Sequence, residues 1–170
     1  MEKRRIAGEL LDNGHQYRVE AWWTSGHTGI AKTEKCPNAI HFTAPPEFGG
    51  LEGRWTPEDL LITALASCFT TTFHAIAVYS QFEYADLVVE GEGIVRKTDR
   101  GYRFSEITLR PCLTIAQEEQ RERAGVLLEK AKTLCLVSRV LAVEQRFEPR
   151  IEIGKRASVR GVRRPEDQRH

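Results

Sequence analysis

The sequence predicts an α+β domain with one long, buried helix packed against antiparallel sheet. Three observations predict it. A long apolar run, Leu60–Phe73, opens with Thr56-Pro57-Glu58-Asp59. Segments with alternating or β-branched character flank it on both sides. A second, amphipathic helical pattern follows over residues 117–132.

The first strand falls within residues 15–25, where Tyr17, Val19 and Ala21 alternate with Gln16, Arg18 and Glu20 in the pattern of a half-buried strand. Trp22 and Trp23 belong to it, with one ring expected inward. Gly26 and Gly29 mark a turn, and residues 39–44 form a short strand stopped by Pro45-Pro46. Residues 47–53 are a glycine-rich loop.

The long helix then starts with strong signals. Thr56 suits the N-cap, Pro57 the first helical position, and Glu58 and Asp59 complement the positive end of the helix dipole. It continues to about Tyr79 and is apolar on nearly every face, which predicts a central, buried position. Residues 87–95 and 104–113 read as strands of an antiparallel hairpin turning at 98–101. Residues 117–132 form a helix with the stripe Ala124, Leu127, Leu128 and Ala131. A short helical turn covers 135–141. Residues 147–153 form an edge strand, because Pro149 cannot donate to a ladder.

At 170 residues the chain fits one domain, taken as 1–153, followed by a basic tail over 154–170. That tail carries Lys155, Arg156, Arg160, Arg163, Arg164 and Arg169, but Glu166 and Asp167 interrupt it and no aromatic side chain is available for stacking, so no nucleic-acid partner is expected. The composition, 41% hydrophobic and 29% charged with a net charge of +1, is that of a soluble globular protein without a global field for polyanions or lipid headgroups. The charged N-terminus lacks the apolar core of a signal peptide, and hydroxyls and charges are expected to break every run before it spans a bilayer. Four cysteines at irregular spacing suit neither a disulfide framework nor a structural zinc site. No metal is expected, and a reducing cytoplasm is the expected location, where a working cysteine is a reactive thiol.

Cys68 sits mid-helix in apolar surroundings, where a thiol is ordinarily inert unless a cation, a helix N-terminus or hydrogen bonds stabilise its thiolate. Glu58 lies nearly three helical turns earlier, too far to touch it, and can serve as an anchor for an arginine. Cys135 precedes the short helical turn, whose dipole would favour a thiolate there. Cys36 and Cys112 read as incidental. His15, His27, His41 and His74 are scattered, and His74 is off the Cys68 face.

The segments Thr56-Pro57-Glu58-Asp59-Leu60-Leu61 and Ala64-Leu65-Ala66-Ser67-Cys68-Phe69 resemble the first cysteine motif of the OsmC/Ohr superfamily, the osmotically inducible and organic hydroperoxide resistance proteins. Residues 42–50 resemble one branch of it, and Ala131–Ser138 matches its second cysteine motif. The resemblance implies an α+β homodimer with two interfacial sites. It also implies a peroxidatic Cys68, a resolving Cys135, and a Glu58 that holds a catalytic arginine. Arg54, close to the helix start, is the nearest candidate for that arginine, and Arg18 is the second.

The implied reaction is reduction of an organic hydroperoxide at a Cys68 thiolate, through a sulfenic acid and a Cys68–Cys135 disulfide that an external thiol or dithiol reduces. Leu61, Leu65, Phe69 and Phe73 are the expected apolar walls of the site, and no cofactor or haem is needed. Two other classes remain open: a small-molecule binding module on the same fold, and a thiol redox sensor.

Overall fold

A computed structural model describes residues 14–154. The basic tail therefore lies outside the described residues, Gly154 excepted. The chain divides into two compact units, residues 1–57 and 58–170.

The first unit is a three-stranded antiparallel sheet in the order β1 (Glu20–Trp23), β2 (Gly29–Thr33), β3 (Cys36–Phe42). Strand β1 is shorter than the sequence predicts and exposed along its whole length, Trp22 and Trp23 included, and Tyr17 and Val19, which precede it, are exposed too. Neither tryptophan is turned inward, and among the described residues β1 pairs with β2 alone. Strand β2 escaped the sequence reading. Its residues, Gly-Ile-Ala-Lys-Thr, are few and begin at a glycine read as a turn. Gly29 faces Phe42 across the ladder, and a Cβ there would meet the Phe42 ring at 2.3 Å. Cys36, read as incidental, is the first and exposed residue of β3.

The fully buried Thr43 organises the loop after β3. Its hydroxyl donates to the His27 carbonyl (2.7 Å) and accepts from the Leu51 amide (3.1 Å). Gly50 is required in this loop, since a Cβ would fall 1.6 Å from the Ala44 carbonyl oxygen. A single 3₁₀ turn, Pro46–Phe48, closes on Gly49 at φ +81°.

The second unit opens with α1 (Pro57–Tyr79), starting and ending where the sequence predicts. The hairpin β4 (Asp86–Thr98) and β5 (Gly101–Ile115) follows, each strand longer than expected. Then come a 3₁₀ turn at Glu118–Gln120, α2 (Arg121–Leu134), α3 (Leu136–Val140), β6 (Glu144–Phe147) and β7 (Arg150–Ile153).

The sheet is mixed. Strands β6 and β7 both pair with β5, and both run parallel to it. The helices α2 and α3 form the crossover that returns the chain in the β5 direction, as a parallel connection requires. The single edge strand expected near Pro149 is thus two short strands, broken at Glu148-Pro149. Pro111 of β5 sits opposite that break, between the pairs Leu109–Phe147 and Cys112–Arg150. Two prolines without N–H donors coincide where the ladder is interrupted.

The core of this unit lies between α1, α2 and the sheet. Leu65, Phe69, Phe73 and Ile76 form the buried stripe of α1. Ala124, Leu127, Leu128 and Ala131 form that of α2, as the sequence predicts. Alternate residues of β5, Ile107, Leu109, Leu113 and Ile115, complete it. Burying each large side chain contributes about 1.5–3 kcal/mol before entropy is counted. The helix reaches the sheet closely because β4 carries Gly91 and Gly93. A Cβ on either would come within 2.5 Å or 2.9 Å, respectively, of the Ile62 side chain.

Two expectations for α1 need correction. It is not buried all round: Thr63, Ala64, Ser67, Thr71, His74, Ala75, Val78 and Tyr79 are exposed. It is also long and apolar enough, by length and composition, to cross a membrane, contrary to the sequence reading. Its hydroxyls do not interrupt it, because Thr70 donates to the Ala66 carbonyl (2.9 Å) and Thr71 to the Ser67 carbonyl (3.0 Å), satisfying themselves on the helix. Within this unit α1 serves as the core helix.

Candidate functional site: a cysteine pair at a helix end

Cys68 and Cys135, separated by most of the second unit in sequence, meet in space. Both are free thiols; Cys135 is fully buried and Cys68 half-buried. Cys68 points from the middle of α1 at the start of α3, where Cys135 is the N-cap residue at φ −61°, ψ 113°. The Cys135 backbone amide donates to the Ala131 carbonyl (2.9 Å), ending α2, and its carbonyl accepts from Arg139 (3.2 Å), opening α3. A leucine-rich sequence turns a sharp corner at this one residue.

Burial pushes the Cys68 thiol up, but four donors outweigh it and hold the group below the ordinary thiol value. They are the backbone N–H of Val137, the Cys135 thiol, the backbone N–H of Leu136 and the Thr72 hydroxyl. Two of them are first-turn amides of α3, which are orphan donors in any helix. Cys135 shifts the opposite way. Burial raises it first, the Ser138 amide opposes this, and the neighbouring Cys68 adds to the rise. The amides of the short helix act on both sulfurs, but they outweigh burial only at Cys68; at Cys135, where the sequence suggests a favoured thiolate, burial and the neighbouring Cys68 win. One sulfur is held below the ordinary thiol value and its neighbour above it.

The first turn of α1 holds Glu58. Its Oε2 atom is buried with no hydrogen-bond partner among the described residues. Arg54 lies exposed in the bend before Trp55, and Arg18 lies exposed ahead of β1; both belong to the first unit.

The four expected apolar walls divide. Leu65, Phe69 and Phe73 are fully buried in the core and only Leu61 is half-buried, so three of the four support the site from behind and do not line an open pocket. Leu65 and Phe69 do border a small cavity of about 10 Å³ at Cys135, shared with Ile107, Lys132, Gln145 and Phe147. The ring of Phe69 packs at 5.6 Å from that of Phe147. An open groove of about 500 Å³ instead runs from Thr71 and Thr72 past Ala75, Ile76 and Tyr79 to Lys130 and Leu134. It begins at Thr72, the residue whose hydroxyl meets Cys68.

His74 is off the Cys68 face, as expected. Its Nδ1 meets the Tyr84 hydroxyl at 3.0 Å. The contributions of Thr72, Leu136 and Val137 are absent from the sequence reading. Only Thr72, one turn after Cys68, carried a signal that could have found it.

This arrangement, two neighbouring thiols where a core helix meets a helix corner, defines a class that comparison with known proteins makes specific. The sequence profile described as OsmC-like protein matches residues 50–149, and the chain belongs to that family. It is 26% identical over 145 residues to the uncharacterized protein YmaD of Bacillus subtilis (strain 168), covering 82% of this chain and 97% of that one. An OsmC-like protein of unknown function from Vibrio cholerae shares the fold with a TM-score of 0.70 at 16% identity, over 80% of this chain and 99% of the other. The organic hydroperoxide resistance protein OhrB of Bacillus subtilis does so with a TM-score of 0.59 at 20% identity, over 81% and 98%. The fold class expected from sequence is that of these structures.

Proposed function

We propose that the protein is a thiol-dependent peroxidase that reduces organic hydroperoxides to alcohols. The observation that carries this reading is the pairing of Cys68 with Cys135, where Cys68 takes donors from the α3 amides and Cys135 stays protonated beside it.

The chemistry follows from that polarity. The Cys68 thiolate attacks the terminal oxygen of a hydroperoxide, an S–O bond forms, and the O–O bond breaks. The alkoxide leaves and takes a proton as the alcohol, which leaves a sulfenic acid on Cys68. The Cys135 sulfur then attacks the Cys68 sulfur. An S–S bond forms, the S–O bond breaks, and hydroxide leaves with the Cys135 proton as water. An external thiol or dithiol reduces the disulfide by exchange.

The open groove beside Thr72 supports an organic substrate, since apolar side chains dominate its walls. The homodimer and the arginine partner of Glu58 belong to the same reading. An orphaned buried carboxylate oxygen is what a guanidinium would fill.

The test is peptide mapping after one equivalent of cumene hydroperoxide is added to reduced protein. A Cys68–Cys135 disulfide and stoichiometric alcohol are expected. Unchanged thiols would overturn the reading and leave a binding module on this fold.

A further inference from the structure

The helix that supplies two of the Cys68 donors has only five residues, far too few to hold its shape alone. Something outside it must fix the direction of its first amides. Gln145, on β6 and paired with Ile107 of β5, makes that connection. Its Nε2 donates to the Ser138 carbonyl (2.9 Å) and the Leu141 carbonyl (3.3 Å), and its Oε1 accepts from the Ser138 hydroxyl (2.5 Å). Both carbonyls are in the part of α3 and its C-cap where a helix has no partners of its own. Gln145 is half-buried and borders the small cavity at Cys135.

We propose that Gln145 is a positioning residue for the Cys68 site: it clamps α3 to the sheet so that the Leu136 and Val137 amides stay aimed at the Cys68 sulfur. The hydrogen bonds of its side chain go to Ser138 and Leu141 and not to either sulfur. It acts through the helix, whose two ends lie one short span apart. A glutamine suits this better than a glutamate, because two of the three bonds need donors on the side chain. The inference rests on the reading of Cys68 as the reacting thiol.

The experiment compares wild-type protein with Gln145→Met, which keeps the volume and removes all three bonds, and with Ser138→Ala, which removes one. The rate of Cys68 alkylation by iodoacetamide is followed against pH by peptide mapping, and the melting temperature is measured alongside. The Gln145→Met midpoint for Cys68 is expected to rise by about one pH unit, the equivalent of roughly one hydrogen bond to a charged sulfur. Ser138→Ala should give a smaller rise, and it stands as the test if Gln145→Met does not fold.

A folded variant with a lower melting temperature but an unmoved Cys68 midpoint would reduce Gln145 to a structural contact and overturn the proposal. A wild-type Cys68 that already titrates as an ordinary thiol would be a different failure, that of the reading beneath it.

Discussion

Cys135 caps the helix whose amides point at Cys68, so the two sulfurs are placed by one backbone corner. The consequence is chemical asymmetry between two identical side chains. Cys68, half-buried, collects donors that outweigh its burial; Cys135, fully buried, sits beside a sulfur that resists its ionisation. Burial alone would make both thiols inert. The amides of the corner reverse that for one of them.

The asymmetry predicts distinct outcomes for the two serine variants. Cys68→Ser should lose peroxide turnover altogether. Cys135→Ser should keep the first step, one alcohol per protein, and then stop with a sulfenic acid that further peroxide converts to sulfinic acid. Mass spectrometry of the Cys68 peptide distinguishes these products. Equal losses in both variants at the first step would contradict the assigned order.

The pH dependence carries a definite sign. The Cys68 thiol is held below its ordinary value in the folded protein, so its peroxide reactivity should rise to a plateau at a pH lower than that of a free cysteine. Linkage gives a second readout. The stability that Cys68 contributes is complete above the unfolded thiol's pKa and is lost as pH falls through the lowered folded value. Cys135, raised by burial, contributes below the unfolded value and loses that contribution as pH rises through its folded one. Urea unfolding at alkaline pH should therefore show Cys68→Ser falling further behind the wild type than it does near neutrality, and Cys135→Ser closing on it.

Packing of α1 on the sheet predicts a stability effect remote from either sulfur. Gly91→Ala places a methyl group 2.5 Å from the Ile62 side chain, closer than atoms in contact can stay. Overpacking of this kind costs about 1–3 kcal/mol. Because the obstructing atom is the Ile62 Cγ2 methyl, which valine would keep and alanine removes, Gly91→Ala combined with Ile62→Ala should recover part of the loss. Denaturant unfolding of the four members of the cycle gives the coupling energy. Additive effects would mean that the strain falls on backbone and not on Ile62.

Much of this was legible in the chain itself, and the exceptions have physical causes. The limits of α1 followed from Thr56-Pro57 at one end, and the buried stripe of α2 from its helical spacing. Strand β2 was not legible, since Gly29-Ile30-Ala31-Lys32-Thr33 is too short to show a period and its pairing with β1 and β3 is non-local. The full burial of Leu65, Phe69 and Phe73 was open because an apolar run does not say which face meets the core. The two cysteines could be singled out by motif, but two of the four donors to Cys68 are backbone amides, and a backbone amide has no letter in a sequence. Gln145 was invisible for a related reason, as its partners are carbonyls placed by a fold.

Glu58 offers a test in which stability and reactivity must move together. A carboxylate oxygen buried without a partner among the described residues costs about 1–3 kcal/mol if nothing fills the gap. Replacing it by the neutral amide in Glu58→Gln would then raise the melting temperature and leave peroxide reduction unchanged. If a guanidinium occupies the position in the working protein, the same substitution removes a charge-assisted bond. The melting temperature should then fall, and the reaction of Cys68 with cumene hydroperoxide should slow by roughly tenfold for each 1.4 kcal/mol lost from the transition state. The second outcome is expected from the proposed function. Arg54→Ala and Arg18→Ala, measured the same way, identify the cation: the variant that reproduces both effects of Glu58→Gln, and adds nothing when combined with it, is the one that lacks the partner.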